Sequence, residues 1–305
     1  MKDTYIGPFL IFIAAVLWGI DGLLRRELFS LPPATIVFYE HLIGLVILLP
    51  FLLLHWKKEK LTKKEWSAIG LVALLSGVLG TLFFTTALLK INFIPFSVVF
   101  LIQKLQPLFT LVTAALVLKE RITKHYLGWA ALALIAGYFV TFPNGMVNFG
   151  EGGAYLSAAL FALLAAIAWG ASTAFSRFTL LGHSHTFITG LRFLITVPIA
   201  FLFVLGMNAA PSLSAVTGGQ FITLLVIALS TGMFALWVYY RGLKKTPASV
   251  STIVELAFPM TAVLLDYFIY GTVLAPSQYF AGAVLLFAMY RVSRLMGTVA
   301  RAPVE

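Results

Sequence analysis

The 305-residue sequence predicts an all-α membrane protein with ten transmembrane helices arranged as two inverted five-helix repeats. Three observations carry this prediction. Hydrophobic residues make up 61% of the chain and charged residues only 10%, with a mean hydropathy of +0.99, outside the range of a water-soluble domain. Landmarks recur half a chain apart: Trp18, Gly19 and Arg26 return as Trp169, Gly170 and Arg177, displaced by 151, and Pro95 and Pro107 return as Pro247 and Pro259, displaced by 152. Gly128 returns as Gly282. Finally, Lys and Arg gather in alternate connections, as charge-directed orientation in a bilayer requires.

Each span needs roughly 20 apolar residues to cross about 30 Å of hydrocarbon. Lipid offers the backbone no partners, so each span closes its own hydrogen bonds as helix. Apolar runs bounded by turn residues fall at 6–28, 34–56, 67–89, 95–118 and 125–142, and again at 153–178, 185–206, 219–242, 247–270 and 276–294. The first run follows Lys2 but is too long for a cleaved signal segment, and its polar far end, Asp21 to Arg26, belongs to the repeat. The organisation is then a first repeat over 1–143, an outer linker over 144–152, a second repeat over 153–295 and a cytoplasmic tail over 296–305. Five spans per copy is an odd number, so the second copy sits upside down relative to the first, the mark of a transporter.

With the N-terminus in the cytoplasm, the inner connections carry Lys57 to Lys64, Lys119 to Lys124, Arg177, Arg241 to Lys245 and Arg291 to Arg301, whereas the outer ones carry only Arg25, Arg26 and Lys90. The protein is expected in the cell (inner) membrane with both termini in the cytoplasm. The net charge of +10 is accounted for by this sorting, and no nucleic-acid partner is implied. The chain has no Cys, which excludes disulfides and thiolate chemistry. His183 and His185 lack a nearby carboxylate, so no metal site is expected. No nucleotide-binding motif is present, no cofactor is implied, and the polar groups are scattered through the bilayer depth rather than clustered as an enzyme's would be.

These landmarks resemble the drug/metabolite transporter superfamily, specifically its EamA-type ten-helix branch. The resemblance rests on the two Trp-Gly pairs, on Pro107-Leu-Phe-Thr followed by Lys119-Glu120-Arg121-Ile-Thr, and on Pro259-Met-Thr in the second copy. Gly271-Thr272 stands where the second acidic residue would be expected, and His41 where its counterpart Arg192 shows the family's more usual basic residue. The resemblance implies a central cavity between helices 1–4 and 6–9, with helices 5 and 10 peripheral and available for dimer contacts in some members. A monomer or a homodimer fits equally.

Polar groups at membrane depth cost several kcal/mol, about 3 for a central Arg or Asp, and so need a reason to be there. They are Asp21, Glu40, His41, Gln103, Lys104, Gln106, Arg192 and Glu255. Gln103, Gln106 and Pro107 share one helix face, and Pro107 frees a carbonyl about one turn back. Pro259 stands four residues after Glu255 and repeats the arrangement with a carboxylate. Both prolines are expected to kink their helices. Glu40 admits two roles, taking up a proton or pairing with Lys104. His41 reads either as a hydrogen-bonded packing residue or as a relay. Arg192 and Glu255 enter to similar depth and are expected to pair as an inner gate or as a static bridge. Trp18, Phe84, Trp169, Trp237, Tyr239 and Tyr240 fall in the helices that the resemblance makes cavity walls, where they could stack a ligand.

The expected function is secondary transport of small organic solutes, as an exporter of amino acids or related amphiphilic metabolites, by alternating access around the cavity. Protons are a candidate coupling partner. Proton-coupled efflux of cationic drugs and, further off, lipid scrambling are the alternatives.

Overall fold

The structure is a computed structural model that describes residues 5–90, 99, 102–103, 105–146, 153–271, 273 and 275–299. Lys104, Pro95, Thr272, most of the 144–152 linker and the end of the tail lie outside the described residues. Every regular element among those described is helical. Besides the short turns Pro143–Gly145, Pro211–Ser214 and Met296–Val299, they are in chain order α1 (Ile6–Arg26), α2 (Pro33–Trp56), α3 (Lys63–Lys90), α4 (Gln106–Val117), α5 (Lys124–Thr141), α6 (Gly153–Gly182), α7 (His185–Gly206), α8 (Gly218–Leu243), α9 (Ala248–Val254), α10 (Ala257–Tyr270) and α11 (Pro276–Arg294). Among the described residues, six helices are long and apolar enough to cross a bilayer: α1, α2, α3, α6, α7 and α8.

Local chemistry sets the ends. Thr62 caps α3 by accepting from the Glu65 amide while Glu65 reaches back to Thr62, and Thr217 with Gln220 does the same for α8. Thr123 caps α5. Pro33 and Pro276 open α2 and α11, where the missing N–H costs nothing.

Irregularities fall at matching places in the two halves. Within α3, residues Ala73–Gly80 form a wide π turn; within α8 the helix breaks at Ser230–Gly232. Residues 76 and 231 are 155 apart, close to the repeat offset. A wide turn leaves carbonyls without helical partners, and Ser76 O takes hydrogen bonds from Trp169 Nε1 and the Thr81 hydroxyl instead. The second pair of irregularities follows the prolines. Residues 255 and 256 separate α9 from α10 four and three residues before Pro259, and α4 begins at Gln106 just before Pro107.

Packing exchanges its partners between halves. α1 lies against the second part of α8 and against α10, and α6 lies against α3 and α4; α2 packs on α7, and α5 on α11. Both Trp-Gly pairs earn their glycine at these crossings. A Cβ at Gly19 would sit 2.5 Å from Thr261 Cβ on α10, and one at Gly170 would sit 2.7 Å from the Gln106 carbonyl oxygen on α4. Each glycine therefore seats a Trp-bearing helix against the proline-broken helix of the other half. Large apolar side chains such as Leu54, Leu202, Ile222 and Phe280 stand exposed on the outside, the surface a hydrocarbon environment would cover.

Candidate functional site

A cavity of about 480 Å³ lies between the halves, walled by α1–α4 and α6–α10 with Thr141 at the end of α5. Trp18, Asp21, Glu40, His41, Phe84, Gln103, Gln106, Pro107, Trp169, Arg192, Tyr239, Tyr240 and Glu255 all reach its wall. Trp237 does not. Its Nε1 donates to the Thr186 hydroxyl at 2.9 Å and its ring packs on His185 and Phe234. Trp237 and Tyr239 are two residues apart on one helix and point some 200° away from each other, so only one can face inward. Pro259 lies in the first turn of α10, three residues after the break at 255–256.

Aromatic pairs line the middle of the cavity. Trp18 packs against Tyr239 with ring centroids 5.0 Å apart, and Trp169 packs against Phe84 at 5.2 Å. Each pair joins the Trp of one half to an aromatic residue on the third helix of the other half. Trp169 is further fixed by its hydrogen bond to Ser76 O.

Two polar clusters share the cavity wall with these aromatic pairs. In the first, Arg25 donates from Nε to Asp21 and from Nη2 to Glu40 at 2.8 Å, while the Thr231 hydroxyl donates to Asp21 Oδ1 at 2.6 Å. Glu40 thus has Arg25 as a partner, and the expected pairing with Lys104 falls outside the described residues. Arg25 is reached because it stands one turn beyond Asp21 on the same face of α1. In the second cluster, Arg192 donates to the Tyr240 hydroxyl at 2.9 Å and to the Ser76 hydroxyl at 2.7 Å, and Ser176 hydrogen-bonds Tyr240. Arg25 Nη1 and Arg192 Nε are buried without hydrogen-bond partners among the described residues.

The expected Arg192–Glu255 pair is not formed. Glu255 accepts from the Tyr239 hydroxyl at 2.7 Å and from Gln106 Nε2 at 3.0 Å. Consecutive tyrosines on α8 separate the two charges, Tyr239 holding the carboxylate and Tyr240 the guanidinium. Gln103 donates to the Ala162 carbonyl on α6 at 3.0 Å. His41 hydrogen-bonds Val37 O through Nδ1 and packs on Phe193.

The clusters are related through the repeat. Arg192 lies 151 residues after His41, Ser176 lies 151 after Arg25, and Thr231 lies 155 after Ser76. Their charges differ: two carboxylates flank the Arg25 guanidinium, whereas the Arg192 guanidinium lies among hydroxyls. Sequence reading passed over Arg25, Ser76, Ser176 and Thr231. The i, i+4 spacing of Asp21 and Arg25 and the near-repeat spacing of Ser76 and Thr231 were the available signals.

Beyond the cavity, at the start of α9, Glu120 accepts from the amides of Ala248 at 2.7 Å and Ser249 at 3.0 Å, and from the Ser249 hydroxyl. Arg177 Nη1 approaches Glu120 at 3.5 Å and Arg177 Nε donates to Thr246 O at 2.6 Å. This is what the Lys119-Glu120-Arg121 motif does: its carboxylate closes the N-terminus of α9 onto the ends of α4 and α6. A second tie links the 57–62 connection to the end of α6. The two ring nitrogens of His183 meet Glu59 at 2.7 Å and Glu65 at 3.2 Å, and Glu59 also accepts from the Ser184 amide at 3.0 Å. Partial burial works to raise the Glu59 carboxyl, but the hydrogen bonds from His183 and Ser184 overcome it and hold it below its usual value.

A helical bundle with a polar-and-aromatic cavity between two repeats defines a membrane transporter of small molecules. The chain belongs to the EamA-like transporter family, whose pattern matches residues 5–142 and again 156–294. It is 37% identical over 300 residues to the riboflavin transporter ImpX of Fusobacterium nucleatum subsp. nucleatum, covering 96% of this chain and 99% of that one. It is 26% identical over 272 residues to an uncharacterized transporter of Clostridium kluyveri, covering 89% and 86%. The fold recurs in a solved crystal structure at a TM-score of 0.71 and 16% identity, with 97% of this chain and 99% of the other aligned.

Proposed function

We propose that the protein is a secondary carrier of a planar, ring-bearing metabolite of the riboflavin kind. Ten spans in two inverted halves would rock around the cavity, with both termini in the cytoplasm. The observation that carries this reading is the double aromatic wall, Trp18 with Tyr239 and Trp169 with Phe84, around about 480 Å³. That volume falls in the few-hundred-Å³ range of small-ligand pockets, and indole and phenol faces suit a conjugated ring. The name of the 37% identical relative supports the same class of solute. An unsubstituted amino acid would leave most of the aromatic wall unused, so a flavin-sized ring is favoured over the amino acids expected from the sequence.

The cycle needs each end to close in turn. The Glu120–Arg177 cluster and the start of α9 fit a closed cytoplasmic end, with the cavity reaching toward Asp21 and Arg25 at the other. Net flux in either direction, export included, would follow the solute gradient or a coupled ion. Glu255, held by two neutral donors at the break between α9 and α10, is the group at which a coupled proton would act.

Counterflow in proteoliposomes is the test. Vesicles preloaded with unlabelled riboflavin should accumulate labelled riboflavin, and preloaded amino acids should not drive that accumulation. Uptake no greater than in protein-free vesicles would refute the reading.

A further inference from the structure

We infer that the solute lies in the cavity in one fixed orientation, its carbonyl-bearing ring edge at Arg192 and its hydroxyl-bearing tail at Asp21 and Glu40. This rests on the proposed flavin-type substrate and goes beyond it by assigning which end of the molecule each cluster reads.

The orientation comes from charge and distance. Two carboxylates share the single Arg25 guanidinium, leaving that end of the cavity one negative charge in excess among the described side chains. Carboxylates only accept hydrogen bonds, so after Arg25 and Thr231 are served their remaining lone pairs call for donors. A polyol tail is a run of such donors. At the other end, Arg192 touches only the neutral hydroxyls of Tyr240 and Ser76, and no carboxylate pairs with it among the described residues. A guanidinium only donates, and burying it without a counter-charge is costly, so that end calls for acceptors. The two carbonyls of a pyrimidinedione edge are such acceptors, and charge-assisted hydrogen bonds to them are stronger than neutral ones.

Spacing places a carboxylate close to the stacked ring. Trp18 and Asp21 are three residues apart on α1, about 4.5 Å along the axis and on one face of the helix. A tail leaving a ring stacked on Trp18 therefore meets Asp21 first. The repeat explains why the two ends compare so directly: the same framework presents Thr231 at one and Ser76 at the other, with opposite charge excess.

Binding of three flavins to the full-length protein in detergent, read by flavin fluorescence quenching, tests this. Riboflavin has ring and tail, lumichrome has the ring alone, and lumiflavin carries a methyl in place of the tail. Asp21→Asn and the milder Thr231→Val should weaken riboflavin about 10-fold while leaving lumichrome and lumiflavin unchanged. Arg192→Gln and the milder Ser76→Ala should weaken all three alike, by about 10-fold or more for Arg192→Gln. Should the pattern reverse, with Arg192→Gln sparing the tailless rings and Asp21→Asn weakening them, the orientation is wrong although flavin binding stands. Equal losses for all ligands in all variants would likewise overturn it. If the unsubstituted protein binds none of the three, the substrate class fails first and the orientation falls with it.

Discussion

Replacing Glu120 with Gln keeps its size and removes one acceptor and the charge. The carboxylate accepts from the Ala248 and Ser249 amides and the Ser249 hydroxyl. These two amides belong to the first turn of α9, where a helix supplies its own N–H groups with no acceptor. The Gln amide offers one oxygen in place of two, and its NH2 confronts whichever donor the lost oxygen served. One buried N–H is stranded, at about 1–3 kcal/mol. Arg177 loses a counter-charge at 3.5 Å but retains Thr246 O, so little need be added. A total of about 2 kcal/mol corresponds to about a 30-fold rise in the opening equilibrium of that turn. Hydrogen–deuterium exchange should show the 247–254 segment losing about 30-fold protection in Glu120→Gln, with the α11 segment unchanged as the internal control. Equal protection in both proteins would mean that the carboxylate does not hold this end closed.

Two further outcomes follow from geometry already described. Gly170→Ala drives a Cβ to 2.7 Å from the Gln106 carbonyl oxygen, a backbone atom that cannot turn aside, and should lower stability by about 1–3 kcal/mol, whereas Gly128→Ala meets nothing within 4 Å and should leave it unchanged; thermal unfolding of the two variants in detergent separates them, and equal midpoints would refute the packing account. Glu59 has a depressed folded-state value, so its contribution is fully present above its unfolded value and is lost as pH falls through the folded one. Proteolytic nicking of the 57–62 connection should therefore accelerate on acidification below the ordinary carboxylate range, and Glu59→Gln should nick readily at every pH.

How much of this was legible in the residues depends on the kind of question. The Trp-Gly and Pro landmarks located the duplicated framework because glycine and proline act on the backbone directly, at Gly19, Gly170, Pro107 and Pro259. Depth alone placed most cavity-facing side chains, since a polar group at mid-membrane has few other places to turn. Partnership was another matter. Arg192 and Glu255 enter to similar depth, yet Tyr239 and Tyr240 divide them, and a depth argument carries no information about azimuth. The third helix of each half hid its contributions for a related reason: membership of a cavity-wall helix does not tell Trp237 from Tyr239, which point to opposite sides of it, and the π turn in α3 and the break at Ser230–Gly232 in α8 interrupt the helical phase at Ser76 and Thr231. Arg25 was discounted as a charge that sets orientation, a role whose statistics hide individual ion pairs.

The clasp at Glu120 has no twin among the described residues. The repeat offset carries Glu120 onto Gly271, which ends α10 with a left-handed backbone and no side chain to offer. Duplication of a five-helix unit would have furnished matching bolts at both ends, and the described residues keep one. An unladen carrier built so would idle with its bolted door shut, and passengers approaching from that side would face a slower welcome than those arriving opposite.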